Sequence, residues 1–484
     1  MTSGARIITT TQSSGRAGNV TINAADSISI SGAFLSRILE PLFNTGNVRS
    51  SGIVTSTIGG KCSGLCGDAG SIFITTGALN LSSGVQINSG TSSTGRGGDV
   101  TIHASDIISL SGTRSDGAPD GIFSRTIGKA PGSGAGGNIE LHAGQFQVTN
   151  GAQVSASTLG PGNAGTVSLQ GSASPAQSVL IDGAGSGIFT DTQATGAGGN
   201  ILVNANNVTL QNSGTLSAAT SGTAPSAMGG TITVDAPNSL TMTNGASITA
   251  SSTGPGNTGN IQINTGNQFA MTNSTVTTEA NQSGGGIIKI TNSGAVELTN
   301  SKISASVLDG TGGGGSVNID PQFVVLQNSQ ILAQAVQGPG GNISITTNLL
   351  LPDSTSVISA SSQFGQQGTI SIQSPIAPAG GKIFPLPQKP LIATTLLSQR
   401  CAALAGGNLS SFTVAGRDSL PAEPAGWLSS PLALAMSESG SSEIGPPTSQ
   451  SEPVGDMPLI SLRRIAPPGF LTQSVGVETG GCVS

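Results

Sequence analysis

A glycine-led decapeptide recurs twelve times along the first three quarters of this 484-residue chain, and it limits the fold more than any other feature. "GRAGNVTINA" returns as "GDAGSIFITT", "GRGGDVTIHA", "GAGGNIELHA", "GNAGTVSLQG", "GAGGNILVNA", "AMGGTITVDA", "GNTGNIQINT", "SGGGIIKITN", "GGGGSVNIDP", "GPGGNISITT" and "GQQGTISIQS". The last glycine of each unit falls at Gly18, Gly70, Gly98, Gly137, Gly165, Gly199, Gly230, Gly259, Gly286, Gly315, Gly341 and Gly368. Most intervals run 26–34 residues, and two longer ones of 52 and 39 hold insertions. A fixed period in this range marks a solenoid, because one unit cannot bury its apolar face alone while stacked units share a continuous core.

Within each unit apolar and polar residues alternate, the period of a half-buried strand. Three short strands are read per unit. After Gly230 the inward residues are Ile232 and Val234, then Leu240 and Met242, then Ile248. After Gly259 they are Ile261 and Ile263, Phe269 and Met271, then Val276; after Gly286, Ile288 and Ile290, Val296 and Leu298, then Ile303. The expected fold is all-β, a right-handed parallel β-helix of about twelve coils over residues 1–374. Its hand follows from the crossover rule for parallel strands. At a rung spacing near 4.8 Å the shaft is on the order of 55–60 Å long.

The corner between the second and third strands carries its own signature. "VTNG", "LQNS", "MTNG", "MTNS", "LTNS" and "LQNS" place Asn150, Asn212, Asn244, Asn273, Asn300 and Asn328 at equivalent positions, with Ser31-Gly32, Ser83-Gly84, Ser111-Gly112 and Asp182-Gly183 serving elsewhere. These residue types tolerate a left-handed backbone, so the corner is expected to need it, and stacked Asn amides are expected to form a hydrogen-bonded ladder. The insertions near 33–52 and 113–121 leave at this same corner, where solenoid loops often build a binding face. "FLSRILEPLF" in the first reads as a short helix or a flap over the rod.

Both ends are expected to depart from the regular shaft. Aligned with "TNGASITASSTGPGNTGNIQIN", the opening "SGARIITTT" corresponds to the third strand of a coil, so the shaft is expected to begin mid-coil with an open β edge. After residue 374 the repeat stops and composition shifts: 14 of the 25 prolines lie in 375–484. Residues 375–399 read as an extended segment closing the rod's end, and 426–484 as a flexible Pro/Ser-rich tail.

Composition narrows the function classes. Charged residues are 8% and aromatics 3%, the net charge is −6, and no Lys/Arg cluster exists to track a phosphate backbone, so nucleic acid is not an expected partner. No stretch reaches the roughly 18 apolar residues of a membrane span, and the first ten residues lack the basic and apolar regions of a signal peptide. Polysaccharide-active β-helices need clustered carboxylates, whereas Asp26, Asp99, Asp106, Asp235 and Asp320 are scattered along the units, only Asp99 and Asp106 sharing one, and no two acids hold matched positions in adjacent units. Thr-x-Thr at 231–233 and 241–243 lies on different strands and does not repeat as an ice-binding array would.

Four cysteines are present. Cys62 and Cys66, in "KCSGLCG", read as a local disulfide clamping a Gly-rich loop, with two free thiols or a metal site as alternatives; a metal would need two further ligands nearby. His103 and His142 occupy the same place in consecutive units and should stack, at a position filled elsewhere by Asn23, Asn204, Asp235 and Asn264 and therefore read as a solvent-facing strand end. The run "GTGGGGS" at 310–316 lacks the Lys-Ser/Thr of a phosphate loop and the Asp spacing of a calcium repeat, and reads as turn glycines. No cofactor is expected.

The repeat grammar, including "GNVTINAADSISISG" and "SGIVTSTIGG", resembles the filamentous-haemagglutinin-like exoproteins of cyanobacterial two-partner secretion systems. The segment "RCAALAGGNLSSFTVAGRDSLPAEP" in 400–425 is similar to one near the end of such proteins, through Cys401, Ser410, Ser411, Phe412, Gly416, Arg417, Leu420 and Pro421, with Asp418-Ser419 in place of Gly-Gly. For the family, the resemblance implies a right-handed β-helix, export through an outer-membrane transporter partner, an extracellular or cell-surface location, and adhesion to cell-surface or glycan ligands. The expected function is a non-catalytic adhesin-like shaft. A polysaccharide-active enzyme and a passive surface-layer component are the alternatives.

Overall fold

The computed structural model describes residues 1–2, 4–35, 48–58 and 66–375, all within the first of two units, Met1–Leu386 and Pro387–Ser484. Cys62, Cys401, Cys482 and the readings made for residues 376–484 lie outside the described residues.

Parallel coils stack into a β-solenoid. One complete coil comprises Ile232–Ala236, Ser239–Thr243 and Ser247–Thr249, and each of these strands pairs in parallel with its counterpart in the next coil, Ile261–Thr265, Gln268–Thr272 and Thr275–Thr277. The third strands form one twelve-stranded sheet running from Arg6–Thr11 to Val357–Ser359. In three coils the first and second strands run together, as Ile72–Ser82, Val100–Ser111 and Ile201–Gln211, which merges the first two faces into one sheet. Gln86–Asn88 and Gly121–Phe123 are typical of the third face, whose strands are mostly three residues long and carry a single inward side chain.

The core follows the alternation. Ile232, Val234, Leu240, Met242 and Ile248 are fully buried, as are Ile263, Phe269, Val276, Ile288, Ile290, Val296 and Ile303. Each such side chain contributes about 1.5–3 kcal/mol relative to exposure, and only stacking makes that burial available. In parallel register Leu240 lies beside Phe269 and Met242 beside Met271, so a side chain touches its equivalents above and below.

The repeating glycines answer to close approach. None of the twelve has a positive φ. A Cβ built on Gly70 would overlap the carbonyl oxygen of Gly18, one on Gly98 that of Gly70, and the series continues without a break to Gly368 on Gly341. The twelve thus form a column in which successive backbones leave no room for a methyl group; within the 310–316 run Gly315 belongs to this column, while Gly310 turns the chain at a φ of 76°. The residue after the glycine explains the "G-[ND]" grammar. The Asn19 Oδ1 accepts the Ser71 N–H at 2.9 Å, the Asn138 Oδ1 that of Thr166 at 3.0 Å, and the Asn200 Oδ1 that of Thr231 at 2.9 Å. Each caps a donor one coil on, where the strand ladder has not yet begun.

Both insertions leave between the second and third strands. The first opens with Ala33–Leu35 pairing antiparallel to Val48–Ser50, so its base is a two-stranded ribbon; residues 36–47, most of "FLSRILEPLF", lie outside the described set. The second is a tight loop in which the Arg114 N–H donates to Ala118 O at 2.7 Å and the Arg114 guanidinium pairs with Asp116 at 2.5 Å. Its Pro119 carbonyl receives the Gln86 side chain at 3.0 Å, which sets the loop against the edge of the third face.

Candidate functional site

At the corner entering the third face, Asn150, Asn212, Asn244, Asn273, Asn300 and Asn328 all have left-handed backbones, with φ of 55, 52, 54, 50, 48 and 46°. In earlier coils Gly32, Ser83, Gly84, Gly112 and Gly183 take the positive φ instead, so in "IDGAG" it is Gly183 and not Asp182 that turns the chain. The amide ladder is interrupted. Asn328 donates to Asn300 at 2.8 Å, Asn244 to Asn212 at 3.2 Å, Asn212 to Asp182 at 2.8 Å and Asn150 to Ser111 at 2.9 Å, but no side-chain rung passes through Asn273. Beside this corner runs an open groove of about 450 Å³, lined by Asn273, Ser274, Thr275, Asn300, Ser301, Lys302, Asn328 and Gln330.

A second column caps the same turns. The Ser301 Oγ accepts the Ser274 N–H, the Ser329 Oγ that of Ser301, and the Ser356 Oγ that of Ser329. Asp120 fills the equivalent role below the second insertion, its Oδ1 accepting Gly84 N–H at 2.7 Å and Val85 N–H at 3.0 Å while Oδ2 has no partner. Burial raises the Asp120 carboxyl above its ordinary value, against the pull of those backbone donors.

The third face carries an aromatic and charged cluster. Coils two apart repeat a near-identical string, "GIFSRT" at 121–126 and "GIFTDT" at 187–192. Register places Phe123, Ser155, Phe189 and Ser217 in one outward column, because the inward place in each strand belongs to Ile122, Val154, Ile188 and Leu216. The next outward column holds Arg125, Ser157 and Asp191, linked through the bonds of Thr126 N–H to Ser157 O and Thr158 N–H to Asp191 O. The Arg125 guanidinium lies 4.2 Å from the Phe123 ring centroid and covers it, leaving Phe123 fully buried. Arg125 is half-buried, and burial alone pulls its guanidinium below the ordinary value. No carboxylate pairs with it, and no acceptor takes its side-chain donors, among the described residues.

Asp191 is also half-buried. Its Oδ1 accepts from the Ser217 hydroxyl at 2.5 Å and the Ala219 N–H at 2.8 Å, while burial raises the carboxyl above its ordinary value as the largest effect. The Ser157 Oγ accepts from the Ser155 hydroxyl and the Asp191 N–H, both at 3.1 Å, and its own proton finds no acceptor among the described residues. Farther along, the face turns to hydroxyls. Thr215 and Ser247 lie 3.1 Å apart, Thr249 donates to Ser251 at 2.9 Å, and Thr277 donates to Thr249 at 3.3 Å. Lys302 and Glu279 form an ion pair at 2.7 Å in the same region.

The remaining sequence-read residues stand apart from this cluster. His103 and His142 stack with centroids 4.3 Å apart and planes 13° from parallel. His142 is buried to 9% exposure, bonded through Nε2 to Glu140 at 2.9 Å, so the solvent-facing reading holds for His103 and fails for His142, which its neighbours cover. Cys66 is disulfide-bonded. Asp99 caps the Asn138 N–H and pairs with Arg96, and Asp235 accepts from Asn264 at 2.6 Å. No three of His, Cys, Asp and Glu meet as a metal-binding group among the described residues, and no helix among them is long and apolar enough to cross a membrane.

Sequence reading missed Phe123, Arg125, Phe189 and Asp191. The twin "GIF" strings were the available signal, but in three-residue strands a Phe beside an Ile reads as one more core residue. Comparison with protein-family profiles, with curated proteins and with solved structures finds no match to this chain.

Proposed function

We propose that this β-solenoid serves as a non-catalytic, adhesin-like shaft of a surface-exposed or secreted protein, similar to the filamentous-haemagglutinin-like exoproteins and exported through an outer-membrane transporter partner. The observation that carries the reading is the use made of the carboxylates. Asp99, Asp120, Asp191 and Asp353 each accept backbone N–H groups from their own or a neighbouring coil. Acids spent on holding the stack are not poised in pairs for proton transfer. The outside of the rod meanwhile presents hydroxyl and amide side chains in register from coil to coil, a surface suited to polar ligands such as glycans.

Adhesion of the purified full chain to glycan-coated surfaces and to cells tests the reading. Saturable binding competed by free glycan, with no shortening of polysaccharide chains, is the expected result. Release of reducing ends from a polysaccharide would favour the enzymatic alternative. Absence of saturable binding to any surface would leave a passive structural component.

A further inference from the structure

We infer that Arg125, Ser157 and Asp191 on the third face form a subsite for an acidic sugar, with Arg125 and Ser157 receiving the carboxylate of a uronate residue and Asp191 accepting its hydroxyls. The inference rests on the adhesive reading and names its ligand class.

The chemistry follows from what each group lacks. Arg125 is a fixed positive charge, partly removed from water, held over the Phe123 ring at 4.2 Å from its centroid, and without an anion from the protein among the described residues. A guanidinium in that setting offers a planar fork of donors matched to a carboxylate. Ser157, one coil along, has its oxygen occupied as an acceptor by Ser155 and Asp191, which leaves its proton to donate. Asp191, one coil farther, has Oδ1 filled by Ser217 and Ala219, and its Oδ2 has no protein donor among the described residues.

Donor, donor and acceptor therefore lie in sequence over two rungs, about 9.6 Å along the rod. That order suits a sugar with a carboxylate at one end and hydroxyls at the other. A phosphate or sulfate cluster would call for several cations, and among the described residues of this part of the face Arg125 stands alone as an unpaired one. Phe189 stands half-buried two residues before Asp191, in the place Phe123 holds before Arg125, and gives the apolar face of the ring a floor.

Calorimetric titration of the full chain with oligomers of galacturonate and glucuronate, and with their methyl esters, tests the subsite. The acids should bind saturably, and the neutral esters should bind at least about tenfold more weakly, as loss of a charge-assisted fork implies. Arg125→Gln should weaken the acid by a similar factor and leave ester binding unchanged. Arg125→Lys, which keeps the charge and loses the fork, should fall between, and it keeps the test open if the Gln variant fails to fold. Failure of the acids to bind the native chain, equal binding by folded Arg125→Gln, or stronger competition from a peptide carboxyl terminus would each overturn the inference. Binding of neutral glycans or cells that survives Arg125→Gln while uronate binding was never present sinks the subsite and spares the adhesive reading. Loss of all saturable surface binding by the native chain sinks both.

Discussion

The side-chain amide of Asn328 donates to the Oδ1 of Asn300 at 2.8 Å, one coil away, while both residues hold a left-handed backbone at φ of 46 and 48°. Conformation and rung are separable contributions. Asn300→Ala removes both and should cost about 2 kcal/mol, from the strain of a Cβ at positive φ plus a lost hydrogen bond. Asn300→Gly keeps the turn free of strain and should cost about 1 kcal/mol, for the rung and the added chain entropy. Because solenoids lose two-state behaviour, hydrogen exchange at the Ser301 and Ser329 amides is the suitable measure. An Ala variant no more labile than the Gly variant would show that the corner does not need its left-handed turn.

Buried threonines line the corner after the third strand, Thr57, Thr91, Thr126, Thr158, Thr192 and Thr220 bridging coil to coil. The Thr192 hydroxyl is buried without a partner, whereas Thr190, two residues earlier, donates to Gly199 O at 2.7 Å. Thr192→Val is expected to stabilise the coil by about 1 kcal/mol by removing an unsatisfied group of the same shape. Thr190→Val should destabilise by about 1–2 kcal/mol. Hydrogen exchange of the surrounding coil's amides in the two variants side by side checks the sign; a shared sign would contradict the hydrogen-bond assignment.

Two carboxylates predict opposite responses to acid. Asp353 accepts from Ser356, Thr355 and the Asn328 N–H, which hold it well below its ordinary value of 3.8. Its stabilisation is present above that value and is lost as pH falls through the lowered one. For Asp191 burial outweighs the Ser217 and Ala219 donors and raises the carboxyl above 3.8, so its contribution is full at low pH and is lost as pH rises through the raised value. Protection of the Asn328 amide should therefore fall toward acid, while that of the Ala219 amide should fall as the pH climbs above 3.8. Asp191→Asn should flatten the second profile and leave the first unchanged.

The glycine column makes a sharper demand than any turn. A Cβ on Gly315 would strike the backbone of Gly285 and Gly286, whereas one on Gly117, in the second insertion, would meet nothing within 4 Å. Gly315→Ala should cost at least about 1–3 kcal/mol by overpacking. Gly117→Ala, with its φ of 82°, should cost about 1–2 kcal/mol from strain alone. The informative readout is where the damage appears. Exchange should rise in the coils on both sides of Gly315 and only within the loop around Gly117, and a purely local effect at Gly315 would remove the column from the argument.

Much of this was legible because repetition multiplies weak signals. One "TITVDA" is ambiguous, but twelve such strings at one period specify strand, inward face and register, and Ile232 to Ile303 lie where the alternation puts them. The Asn corner was legible for the same reason. Features that occur once or twice were not. Phe123 and Arg125 need the register of Gly121–Phe123 with Gln153–Ser155 before they become neighbours of Ser157, and His142 needs His103 and Glu140 around it before it is buried. The glycines were legible as positions and not as causes, since steric exclusion between backbones leaves the same letter as a turn.

That exclusion also governs how such a rod can change length. Close backbone contact along the glycines opposes compression and the parallel hydrogen-bond ladders oppose stretch, so reach is gained or lost only as whole coils, each worth about 4.8 Å. A duplication or deletion of one complete unit between two of these glycines keeps the strand register and the glycine column, which makes length the property of this protein most open to gradual change and pitch the least.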